Sequence, residues 1–152
     1  MINNNRYEQY KIQGIMTASA GELVLMLYDG CIKNLKLSKM YINDHDIEKA
    51  NHSNIKAQNI INELITGLDF KFDIAKQLYQ LYEYMNWELV SANIKKDETK
   101  IQVVIDIMED LKVTWVQVLK MNKGNVNPPH NSNAEKPENT VNPLQGRSYG
   151  YR

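Results

Sequence analysis

An internal disulfide is closed to this chain, because its one cysteine, Cys31, has no second thiol within the chain to pair with. Its apolar neighbours suit a small buried hydrophobe better than a reactive thiolate. Charge of one sign is missing too. Lys and Arg number 18 and Asp and Glu 18, which removes the broad attraction that nucleic-acid binders and polybasic membrane anchors depend on. Long hydrophobic runs are absent. The longest, Leu23 to Tyr28, falls far short of the ~20 residues that span a bilayer, and the N-terminal MINNNRYEQY lacks the charged-then-apolar order of a signal sequence. The expectation is therefore a cytosolic protein with no nucleic-acid partner and no membrane insertion. No segment alternates at period two for long enough to make a strand.

Constellations that carry chemistry are also lacking. A helical bundle can house a metal pair through a Glu-x-x-His motif, and none occurs. His45 and His52 stand near Asp44, Asp46 and Glu48 in a polar stretch where solvated charge is the ordinary explanation. Gly14 and Gly21 flank a Thr- and Ser-containing segment, but no lysine follows in the phosphate-loop pattern. Nothing around Cys31 marks an activated nucleophile. The sequence thus offers no catalytic, cofactor-binding or metal-ligating set, and an enzyme is not expected.

What the chain does have is helical periodicity. At 152 residues it is one domain with room for an appendage. Ser19 precedes Glu22 at the capping-box spacing, and Val24, Leu27, Cys31 and Leu35 follow as one apolar stripe of a helix that stops near Asn43. Asn43 or Asp44 caps a second helix with Ile47, Ala50, Ala57, Ile61, Leu64 and Leu68 inward and Gly67 at its exit. Asp73 caps a third, with Leu78, Leu81, Tyr82, Met85, Leu89 and Ala92 inward. A turn at Lys95 to Asp97 leads to a fourth helix, capped by Asp97. Its seam holds Ile101, Val104, Ile105, Met108, Leu111, Trp115 and Val118, and it ends before Gly124 and Pro128-Pro129.

Four such helices with short connections predict an all-α, antiparallel up-down four-helix bundle. The expected organisation is an amphipathic leader at 1–16, the bundle at 17–122 and a disordered tail at 123–152. The tail, GNVNPPHNSNAEKPENTVNPLQGRSYGYR from Gly124 on, has too few apolar residues to offset the entropy of ordering, and it should be dispensable for folding.

The four stripes do not use up the apolar side chains. Leu23 and Met26 lie beside the first stripe, with Leu25. Tyr79, Tyr84, Trp87 and Ile94 project away from the third, and Val103 and Ile107 away from the fourth. Unmatched apolar surface on a cytosolic protein marks a partner site. In the leader, Tyr7 and Tyr10, with Ile12, Ile15 and Met16, suit a built-in cover for such a surface. These residues predict a helix-binding module. A homo-oligomeric helical scaffold without a dedicated client is the alternative, and a metal-binding helical enzyme with ligands gathered only by the fold is a third class.

YEQYKIQGIMTASAGELVLMLYDG, then IKAQNIINEL, LYEYM, LVSANIKKD and the Trp115 region, occur in the order and spacing of the flagellin export chaperone family, FliS, which residues 7 to 120 resemble. TAS-x-GEL-x-x-x-LYDG behind a Y-x-x-Y is the most specific part. The resemblance implies an all-helical cytosolic chaperone that binds the disordered C-terminal segment of flagellin, prevents premature polymerisation and escorts it to the flagellar type III export gate. Other flagellar regulators are further partners in view. Tyr7 and Tyr10 match the family's paired tyrosines, in the segment that closes over the bundle when the client is absent. Two departures stand out. Ala20 replaces a usual proline, so the first turn loses a preset φ. Trp87 and Glu88 stand where many relatives carry two arginines.

Overall fold

A computed structural model describes residues 5–9, 19–124 and 151. They form an all-α bundle. Its long helices are α1 (Ala20–Asn43), α2 (Ile47–Thr66), α3 (Asp73–Lys95) and α4 (Glu98–Gly124), preceded by a short helical stretch at 5–9. Most of the predicted leader, Tyr10 included, and residues 125–150 of the predicted tail lie outside the described residues.

The helix starts follow from capping chemistry. Ser19 Oγ accepts from the Glu22 amide at 3.2 Å, and Glu22 Oε2 accepts from the Ser19 amide at 3.4 Å, so α1 opens on the predicted reciprocal box even with Ala20 in its first position. At α4 the Asp97 carboxylate accepts from the Thr99 and Lys100 amides at 2.9 and 3.4 Å. Two caps differ from expectation. His45 takes a left-handed φ of 59°, which lengthens the turn and passes the cap of α2 to Asp46, whose Oδ1 accepts from Lys49 N at 3.1 Å. Phe72 occupies the extended position before α3. Asp73 is therefore the first helical residue, where its charge faces the positive end of the dipole instead of bonding an amide.

The helices pack in a ring: α1 against α2 and α4, α3 against the same two. Small side chains let α1 approach α2 closely. Ser38 Oγ donates to Ala50 O at 2.9 Å, and Cys31 Sγ faces Ala57 O at 3.9 Å. Cys31 is fully buried, and burial pushes its thiol pKa up to about 12, so it is the inert hydrophobe its neighbours implied. Gly21 serves a second close approach, since a Cβ there would strike the Leu119 side chain. α1 and α3 stand diagonally across the core, where the Tyr28 and Tyr82 hydroxyls meet at 2.8 Å.

The predicted stripes are largely inward. Ile47 is an exception at 50% exposure, because it sits in the first turn of α2. Leu27, Leu78, Leu81, Leu111 and Val118 are half-buried at the margins. Tyr28 and Ile32, outside the predicted stripe of α1, are buried because that helix must face two neighbours.

Tyr151 corrects the view that the tail adds nothing to the core. It is only 7% exposed. Its backbone forms an antiparallel bridge with Leu68, its hydroxyl bonds that of Tyr82, and its ring meets Trp115 edge-on at 5.7 Å.

Candidate functional site

Helices α1 and α3 carry most of the apolar residues singled out for binding. Leu23 and Met26 on α1, Tyr79, Tyr84, Trp87 and Ile94 on α3, and Val103 on α4 are all exposed. Trp87 and Ile94 are the extreme cases at 74% and 79%. Tyr79, Trp87 and Ile94 recur at eight- and seven-residue steps, so they share one outward stripe of α3, and Phe70 extends it with a ring 5.9 Å from Tyr79. Ile107 departs from the set, being partly buried against the core. Tyr7 is 71% exposed on the stretch at 5–9. Because α1 and α3 are diagonal, the exposed residues of the set are divided between helices that do not pack on each other.

A groove that the sequence reading missed runs along the outside of the α1–α4 seam. It encloses about 920 Å³. Ile32, Leu37 and Met40 from α1 and Val113 and Val116 from α4 supply its apolar wall, while Asp29, Lys33, Lys36, Glu109, Lys112, Gln117 and Lys120 edge it. Lys36 Nζ pairs with Glu109 Oε1 at 3.2 Å, and Lys112 pairs with Asp29, each bond crossing from one helix to the other. Such exposed pairs contribute at most about 1 kcal/mol, and their main consequence is to hold the rim in register. Lys33 and Lys120 add positive charge with no carboxylate partner among the described residues. One signal could have found the groove. Lysine and an apolar residue recur four apart in both helices, Lys33 with Leu37, Lys36 with Met40, Lys112 with Val116 and Val116 with Lys120, giving each helix a mixed face beside its core stripe.

Nothing in this arrangement is built for bond-making chemistry. Among the described residues no three His, Cys, Asp or Glu side chains gather to hold a metal ion, and no helix is long and apolar enough to cross a membrane. The open groove with a charged rim, and the outward stripe on α3, are apolar surface that the bundle leaves exposed. The family model for the flagellar protein FliS matches residues 3–122. The chain is 38% identical to the flagellar secretion chaperone FliS of Bacillus subtilis over 79% of its own length and 90% of that protein's. It is 32% identical to the namesake of Salmonella typhimurium over 74% and 86%, and 30% identical to that of Campylobacter jejuni over 78% and 94%. The chain belongs to the FliS family of flagellar export chaperones, which are non-catalytic.

Proposed function

We propose that this protein is a cytosolic chaperone that holds the disordered C-terminal segment of flagellin, prevents its premature polymerisation and delivers it to the flagellar type III export gate. Family membership supports the role, and the arrangement of unpartnered apolar surface supports the manner of binding. We infer an up-down order of the helices, which the short connections favour.

The groove between α1 and α4 is the seat proposed for an amphipathic stretch of the client. Its apolar wall would take the client's apolar side chains, and its lysines favour a segment with acidic residues on the flanking face. The outward stripe of α3, on the far side of the bundle, would be a second seat. Two seats facing apart suit an extended client that wraps the bundle rather than one straight helix. Disordered segments bind in that way, and they recover the cost of ordering by burying several anchors at once.

The observation that carries this reading is an open apolar groove on a chain of this family. Calorimetric titration of the flagellin C-terminal segment into the full chain tests it. A one-to-one complex is expected, weakened by Met40→Asp in the groove and separately by Trp87→Ser on α3. If the client binds native protein and both variants alike, these are not the seats. If native protein binds no client and its mass in solution is that of an oligomer, the scaffold alternative holds instead.

A further inference from the structure

Tyr151 is held by more features than a chance contact would collect. Its main chain pairs with Leu68, its hydroxyl with that of Tyr82, and its ring with the edge of Trp115. Its Cδ1 lies 3.3 Å from where a Cβ on Gly67 would stand, so the absence of a side chain at Gly67 makes room for the ring. The backbone pairing reads an extended peptide, the cavity reads an aromatic ring, and the Tyr82 hydroxyl reads a phenol.

The walls of this pocket are secured without Tyr151. Trp115 Nε1 donates to Gly21 O at 2.8 Å, Tyr82 meets Tyr28 across the core, and Leu68 belongs to the buried core next to the end of α2. Its occupant arrives from the far side of residues 125–150, a sequence rich in Asn and Pro with few apolar residues of its own. A preformed site filled by a single residue at the end of such a sequence is suited to exchange, because one anchor must offset the entropy of closing the intervening chain.

We propose that this pocket is an acceptor site for a tyrosine on an extended peptide, filled in cis by Tyr151 as an exchangeable occupant. The site lies apart from the α1–α4 groove and does not depend on what that groove binds.

The test uses the full chain with Tyr151→Ala, on a Trp87→Phe background that leaves Trp115 as the one indole. The probe is the peptide QGRSYGYR, residues 145–152. The variant is expected to stay helical and cooperative, its Trp115 emission to shift to the red, and the peptide to restore the emission saturably. A peptide with Phe in place of the tyrosine at 151 should bind about three- to ten-fold weaker, for the lost hydrogen bond. A peptide with Ala there, which keeps Tyr149, should not bind. The chain that retains Tyr151 should need at least about ten-fold more peptide, since its own tail competes. Collapse of the bundle in the Tyr151→Ala variant would overturn the proposal by making Tyr151 a permanent core residue. So would a folded variant whose emission millimolar peptide fails to restore, or equal binding to both chains.

Discussion

The two faces of α3 are made of the same kinds of residue and have opposite fates. Inward, Tyr82, Met85, Leu89 and Ala92 are fully buried; outward, Tyr79, Trp87, Val90 and Ile94 meet solvent. Hydrophobicity does not separate the faces. Tyr82 is core because its hydroxyl has a partner waiting on the diagonal helix, while Trp87 has no neighbouring helix to meet. The lesson is that an apolar residue is committed to stability by what stands opposite it, and one with nothing opposite is free to serve a partner.

Substitutions on the inner face should break this contrast most strongly. Leu89→Ala removes a fully buried side chain and should cost about 2 to 5 kcal/mol, read as a lower urea midpoint with little change in slope. The alkaline range gives the next largest effect. Burial raises the Cys31 thiol pKa from its ordinary value of 9.0 to about 12 in the fold, so its contribution is complete below pH 9 and is lost as pH climbs toward 12, at up to about 1.4 kcal/mol per pH unit. Burial also raises the pKa of Tyr28, Tyr82 and Tyr151, and these phenols add to the alkaline loss. Cys31→Ala should therefore flatten the fall in stability above pH 9 without abolishing it, and denaturation across pH 8 to pH 11 would show this.

Tyr82→Phe keeps the ring and deletes the hydroxyl shared by Tyr28 and Tyr151. With two buried phenols left short of a partner, a loss of about 1 to 3 kcal/mol is expected. The smallest effect belongs to the outer face. Trp87→Ser should move stability by no more than about 0.5 kcal/mol. A large drop in its urea midpoint would place Trp87 in the core and erase the distinction between the faces.

Much of the fold is legible in the sequence because local signals and tertiary packing agree. The Ser19–Glu22 box and the Asp97 cap are read from spacing alone, and Ala57, Ile61, Leu64, Met85, Leu89, Val104 and Met108 fall inward as their periodicity requires. Errors arise where tertiary geometry decides. Asp46 rather than Asp44 caps α2 because the turn takes a left-handed residue at His45, and periodicity has no access to that. Leu37, Met40, Val113 and Val116 become a groove only once α1 and α4 lie side by side. Tyr151 is the clearest case. Average composition marks its surroundings as too polar for a core, yet a single aromatic residue can dock into a pocket built by others, and composition is blind to single residues.

The role proposed for the α1–α4 groove is to serve a client and not the stability of the bundle. It is tested most directly by titrating the flagellin C-terminal segment into the native chain and into Val113→Asp, with the urea midpoint of each measured alongside. A one-to-one complex with native protein, at least about ten-fold weaker binding by the variant, and midpoints that coincide are expected. Equal affinity for the two proteins, or a variant that loses its fold together with its client, would contradict it.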